Sequence, residues 1–308
     1  MTDSQDQGIH SINQEFRRYE QVKKEQTYGL SENDTVDEFD DEYQIRVCDM
    51  AAYFNGGEAG KLAFAQSIGQ AMDEIGFTIL INHGIDTQLF DAAEAAIIRF
   101  FETIPTPERL PYLAKRHGSV NQGYFPIKET SIIHPDLVEG WVFCRRAFNL
   151  DDNPNYQEEN FWPRPGYEPI FRRLIEAQTQ LIKPLIQSMF RYLGTDPHSY
   201  DQKLSATNFG FRLNYYPALD QAESIDSGGR MLGHEDVDLF TFLPAPKEEG
   251  LQVYHRKTKK WIRLKAPPGS IIINTGDYIQ RITNDRLPST THRVAPVSYT
   301  HLRAHETL

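Results

Sequence analysis

Phe209-Gly210-Phe211-Arg212-Leu213-Asn214-Tyr215-Tyr216, Leu239-Phe240-Thr241-Phe242-Leu243, Leu251-Gln252-Val253-Tyr254-His255, Trp261-Ile262-Arg263-Leu264, Ser270-Ile271-Ile272-Ile273-Asn274 and Thr291-His292-Arg293-Val294-Ala295 are the runs that decide the fold. Each is short and rich in β-branched or aromatic residues, which suit a pleated, half-buried surface. Pro267-Pro268-Gly269 and Asn274-Thr275-Gly276-Asp277 punctuate them with turn chemistry. Many short strands with close turns predict a mainly β architecture, a sandwich or jelly roll, over residues 205–297.

Working outward, the pattern changes period. From about Tyr167 to Leu193, Phe171, Leu174, Ile175, Leu181, Leu185, Ile186, Met189 and Phe190 recur at spacings of three and four, which predicts a long helix, kinked at Pro184 and capped by Gly194. This helix and its connection fill 167–204. Residues 118–166 are rich in Gly, Pro and Asn and read as long loops with short strands. Upstream, Leu89–Phe101 reads as a helix that stops before Pro105 and Pro107. Phe77–Ile81 reads as a strand closed by a turn at Asn82-His83-Gly84. Lys61–Ile75 reads as an amphipathic helix ended by Gly76. Order begins at Tyr43, so 43–166 form an N-terminal region. Residues 1–42 form an acidic polar leader, expected to be solvated: Glu32, Asp34, Asp37, Glu38, Asp40, Asp41 and Glu42 crowd its end.

The chain has 308 residues, enough to bury a large core without a metal or disulfide staple, so a metal here is expected to be functional. Its net charge of −11 argues against nucleic acid and against anionic membranes, both of which need clustered Lys and Arg. Cys48 and Cys144 suggest no disulfide framework and fit a reducing cytoplasm. The first ten residues lack the pattern of a secretory signal, and no apolar run is long enough to span a membrane.

His234-Glu235-Asp236 carries the chemistry. On an extended segment residues i and i+2 point to one side, so His234 and Asp236 converge while Glu235 turns away. His292, again in a strand context, supplies a third donor. Two histidines and one carboxylate on one face leave three coordination positions open, the arrangement of non-haem iron(II) oxygenases. A surface role for any one of the ten histidines, or a zinc hydrolase, fits the same spacing.

The surrounding text narrows the choice. His234-Glu235-Asp236, Thr241, Gly250-Leu251-Gln252-Val253, Trp261, Pro268-Gly269, Asn274-Thr275-Gly276-Asp277, Ser289 and His292-Arg293-Val294 follow in an order that resembles the isopenicillin N synthase-like branch of the iron(II)/2-oxoglutarate-dependent oxygenases. Arg212-Leu213-Asn214-Tyr215-Tyr216-Pro217, Gly76-Phe77, Asn82-His83-Gly84-Ile85, Gly123-Tyr124 and Glu139-Gly140-Trp141 resemble it too, so the likeness covers roughly 43–297. It implies a double-stranded β-helix core flanked by helices. It implies Fe(II) held by His234, Asp236 and His292, with 2-oxoglutarate as cosubstrate contacted by Asn214 and Tyr216. It implies O2-driven hydroxylation, desaturation or ring closure of a small organic molecule. His83 matches a motif but not a ligand, and reads as a turn residue with a structural hydrogen bond. Arg212 shares the Asn214 face of its strand and is expected either to hold an anionic group of the substrate or to pair with a carboxylate.

The pattern breaks at the end. The family places Arg-x-Ser about ten residues after the distal histidine, but here Arg303 is followed by Ala304 and His305. Residues 298–308 therefore read as a foreign tail resembling translated adapter sequence, with the natural last strand lost. That leaves two alternatives: an enzyme that oxidises without 2-oxoglutarate, and an impaired oxygenase relic that only binds metal or a partner.

Overall fold

The computed structural model describes residues 38–117, 120–127, 137–206, 208–217 and 231–295. The tail at 298–308, with Arg303, and the leader up to residue 37 lie outside these residues. The strands in chain order are β1 (Val47–Asp49), β2 (Phe77–Ile81), β3 (Lys115–His117), β4 (Val120–Phe125), β5 (Glu139–Cys144), β6 (Gly210–Tyr215), β7 (Met231–His234), β8 (Phe240–Pro244), β9 (Leu251–His255), β10 (Lys260–Arg263), β11 (Ile271–Thr275) and β12 (His292–Val294). The helices that matter are α1 (Gly57–Ile75), α2 (Gln88–Thr103), α3 (Glu168–Tyr192) and α4 (Asp277–Ile282).

Two sheets face each other as a jelly roll, in the orders β1-β2-β11-β8 and β10-β9-β12-β7, and a third runs β3-β4-β5-β6. All pairings between these strands are antiparallel except β1 with β2. The core therefore reaches beyond 205–297, because β2 from the N-terminal half lies beside β11. The reason is visible in β11. Ile271 and Ile273 pack with Leu181, Leu185 and Met189 of α3, while Ile272 faces Phe77, Val253 and Ile262 between the two sheets. A strand buried on both faces needs apolar residues at every position, hence Ile-Ile-Ile. Truncating such a side chain, for example Leu185→Ala, costs about 2–5 kcal/mol.

α3 runs unbroken through Pro184. Gly76 ends α1 at φ 72°, and its backbone closes on the core: a Cβ there would stand 2.3 Å from the Pro288 carbonyl oxygen. Both facts require glycine. The aromatic cluster of Phe100, Trp141, Phe143, Trp162, Phe171 and Phe211 joins α2 and α3 to β5 and β6. This turns the opposite face of β6, which carries Arg212, towards the jelly roll.

The acidic leader departs from expectation over its last five residues. The Trp261 amide donates to the Glu38 carbonyl (2.8 Å) and the Asp40 amide to the Trp261 carbonyl (2.9 Å), so residues 38–40 lie along β10. β10 is an edge strand with unpaired backbone groups, and its Lys260 and Arg263 face Glu38 and Asp41. Arg263 also lies over the Phe39 ring, 3.7 Å from its centroid. Edge hydrogen bonds and opposite charge together dock a segment that composition alone reads as solvated.

Candidate metal centre

His234 ends β7 and His292 begins β12, and the two are register partners across that ladder. Asp236 lies two residues past the end of β7. One donor atom from each of the three residues falls within 4.8 Å of the others. The His234 Nε2 is 3.7 Å from Asp236 Oδ1, and the His292 Nε2 is 3.9 Å from Asp236 Oδ2. Sequence reasoning brought these three together, and the structure places them in one cluster. His292 is buried, whereas the His234 side chain is one-third exposed, so the cluster opens on the His234 side.

The surroundings fix each donor. His292 Nδ1–H donates to the Thr290 carbonyl (3.1 Å), which leaves the Nε2 lone pair aimed inward. Asp236 Oδ2 accepts from Thr241 Oγ1 (2.6 Å) and Asn274 Nδ2 (2.7 Å). Its backbone carbonyl accepts from the Asp277 amide at the start of α4 (2.8 Å). Burial alone would raise the Asp236 carboxyl, but the charges of His292 and His234 and the two side-chain hydrogen bonds outweigh it and hold it below the usual carboxylate range. Asp238, behind it, is pushed up to about 8 by burial and by the charge of Asp236. Two imidazoles and an ionised carboxylate, open on one side, suit a divalent iron ion. Glu235 turns the other way and pairs with Arg256.

Arg212 lines the same cavity as His234, Asp236 and His292, together with Phe77 and Asn274. Its Nε is buried with no hydrogen-bond partner, and among the described residues the guanidinium makes no ion pair. The expected alternative, pairing with a carboxylate, is absent there. Asn214 and Tyr216 share the Arg212 side of β6 but do not line this cavity. Asn214 is fully buried opposite Gly140, and Tyr216 packs with Val138, Met231 and Val294. His83 is a structural turn residue: its Nε2–H donates to the Gly269 carbonyl (2.8 Å), and its Nδ1 accepts from the Ile85 amide (3.1 Å). Thr241 and Asn274 had no assigned role in the sequence. The available signal was a polar side chain ending the buried apolar run Ile271-Ile272-Ile273.

A family described as the non-haem dioxygenase in morphine synthesis N-terminal region matches residues 45–165, and the 2OG-Fe(II) oxygenase superfamily matches residues 207–304. A 2-oxoglutarate-Fe(II) type oxidoreductase of Metarhizium majus is 26% identical over 276 residues, covering 81% of this chain and 73% of its own. Leucoanthocyanidin dioxygenase 1 of Oryza sativa is 24% identical over 297 residues, covering 93% and 76%. A Neurospora crassa protein, solved at full length with alpha-KG and 5-formyluracil, shares the fold at a TM-score of 0.69 and 22% identity, over 85% of this chain and 81% of that one. The auxin-oxidising dioxygenase of Arabidopsis thaliana does so at 0.67 and 19%, over 83% and 89%. The chain belongs to the isopenicillin N synthase-like iron(II)/2-oxoglutarate-dependent oxygenases and is a dioxygenase that uses Fe(II), 2-oxoglutarate and O2 to oxidise a small organic molecule.

Proposed function

We propose that His234, Asp236 and His292 hold the iron, and that Arg212 receives an anionic group of the small-molecule substrate in the same cavity. The convergence of three donor atoms within 4.8 Å carries the first part. The partnerless Arg212 Nε in that cavity carries the second. Iron bound there supplies oxygen activation coupled to decarboxylation of 2-oxoglutarate; the protein supplies the geometry. Asp236 stays ionised and is clamped by Thr241 and Asn274. The proton on His292 Nδ1 fixes its tautomer. Asn214 on β6 and Tyr216 just past its end, expected to contact 2-oxoglutarate, are buried outside this cavity and back the strand that carries Arg212.

Arg212 is half-buried, and a guanidinium whose Nε is buried without a partner gives up hydration that a paired anion repays. A ligand carboxylate or phosphate provides that pair through a two-point contact. The names of the relatives span thymine, leucoanthocyanidin and feruloyl CoA chemistry, so Arg212 guides the substrate class better than they do. The net charge of −11 supports a small molecule over nucleic acid as the partner. Among the described residues no helix is long and apolar enough to cross a membrane, and both cysteines are unbridged, which supports a cytoplasmic site of action.

The test is anaerobic titration of the metal-free protein with Fe(II) and then 2-oxoglutarate, followed by aerobic succinate release with a panel of small carboxylic acids. The expected result is one iron per chain, lost in Asp236→Ala, with acid-stimulated turnover lost in Arg212→Met. Iron binding unaffected by Asp236→Ala overturns the ligand assignment.

A further inference from the structure

We propose that Arg256 is a positioning residue for the metal: with Glu235 it forms a cross-brace that sets the distance between the two ligand-bearing segments. The inference rests on the ligand assignment above. Its starting point is how little backbone pairing joins those segments. β7 and β12 pair only at His292 with His234 and at Val294 with Met231, and the register shifts between these two. Asp236 lies beyond the end of this ladder, as do Ser289, Thr290 and Thr291 leading into His292. Backbone hydrogen bonds between β7 and β12 do not hold them together.

Side chains take over at that point. Glu235, between two of the ligands, has a side chain only 3% exposed. Its Oε1 accepts from Arg256 Nη2 and, at 3.3 Å, from Thr291 Oγ1. The same Arg256 Nη2 also donates to the Ser289 carbonyl. One guanidinium nitrogen thus ties the residue between His234 and Asp236 to the segment that delivers His292. Arg256 is itself anchored. It follows β9 directly, the Tyr254 amide donates to the Thr291 carbonyl (2.9 Å), and Val253 is the register partner of His292. The brace is therefore referenced to the strand beside the third ligand.

Arg256 is 41% exposed, so shortening it removes little packing. What is lost is the charge of Arg256 beside a desolvated carboxylate one residue from both His234 and Asp236, together with the tie to the Ser289 carbonyl. With the guanidinium gone the carboxylate turns towards water, which re-aims the backbone that carries both ligands. Groups that orient metal ligands shift metal affinity by roughly 10–100-fold when they are replaced.

The experiment measures Co(II) affinity of the metal-free chain by the ligand-field absorption of the bound ion, alongside thermal melting without metal. Arg256→Met is expected to raise the Co(II) Kd by about tenfold or more and to alter the absorption band, with Arg256→Lys recovering part of the loss. A Kd for Arg256→Met within about twofold of wild type overturns the proposal, whatever happens to the melting temperature. If Arg256→Met does not fold, Glu235→Gln replaces it under the same criteria, since it keeps the shape and removes the charge. If wild type binds no Co(II), the ligand assignment itself falls and the brace with it. Binding by wild type with an unaffected variant refutes the brace alone.

Discussion

His234 and His292 are partners across the β7–β12 ladder, with ring centroids 4.3 Å apart and ring planes inclined by 53°. Two of the three candidate ligands are therefore set by strand register, while Asp236 is held by side chains and by the α4 amide. The three donors should respond differently to mutation of their surroundings.

Asp236→Ala should abolish iron binding, because a site left with two imidazoles loses its only anionic donor. Thr241→Val and Asn274→Ala should each weaken it by roughly 10–100-fold without abolishing it, since each removes one hydrogen bond to Asp236 Oδ2. Anaerobic Fe(II) titration reads all three. Wild-type affinity in both Thr241→Val and Asn274→Ala would show that the carboxylate needs neither clamp.

Short-range periodicity made a β architecture and the His234–Asp236 pair legible, whereas the choice of a jelly-roll oxygenase, with His292 as third iron ligand, rested on the family resemblance. Alternation placed His234 and Asp236 on one side, and strand runs with close turns gave the sheets. Three features were not legible. The docking of residues 38–40 on β10 depends on an edge strand whose position follows from the whole topology. The pairing of β2 with β11 joins segments far apart in sequence and leaves no local trace. Arg256 sits in a turn whose sequence reads only as a solvated charge, and its partner is fixed by the fold.

Arg212→Met should abolish stimulation of 2-oxoglutarate turnover by anionic substrates while leaving Fe(II) affinity close to wild type. Arg212 lines the cavity but contributes no metal donor. Losing a charge-assisted contact costs roughly 1.5–3 kcal/mol, so substrate KM should rise by about tenfold to over a hundredfold. An unchanged KM for every acid that is turned over would remove Arg212 from substrate binding.

His83 gives a pH prediction. Burial disfavours its imidazolium and lowers its pKa from the ordinary 6.5, although the hydrogen bond to Gly269 opposes this. The unfolded chain takes up a proton as pH falls through about 6.5, while folded His83 stays neutral, so the unfolded state binds more protons. This contribution to stability is complete above that pH and is lost progressively below it, levelling only beneath the folded pKa. His83→Gln keeps a donor for Gly269 but does not titrate. Urea unfolding at about pH 7.5 and 5.5 should show a smaller acid-side loss in this variant than in wild type. Equal losses would assign the acid sensitivity to other groups.

Among the described residues, Arg109 and Glu139 should be the most costly ion pair to break singly. Their side chains are 7% and 14% exposed, and Arg109 Nη1 donates to Glu139 Oε2 at 2.9 Å. Tyr124 donates to the other carboxylate oxygen at 2.5 Å. The guanidinium also lies over the rings of Phe101 and Tyr124, at 5.5 and 5.1 Å. Removing one partner strands the other without water, which typically costs roughly 3–5 kcal/mol, whereas replacing both by apolar groups restores much of the loss. Arg109→Ala should therefore lower unfolding free energy by about that amount, and Arg109→Met combined with Glu139→Leu by clearly less. The effect should reach the cavity, because Gly140 follows Glu139 on β5 and its Cα faces Arg212: a Cβ there would lie 3.7 Å from the Arg212 Nε and Nη2. Urea denaturation of the metal-free protein measures the stability term, and substrate KM measures the displacement of Arg212. A single-variant loss under about 1 kcal/mol would mean that water already reaches the pair and that it behaves as a surface contact.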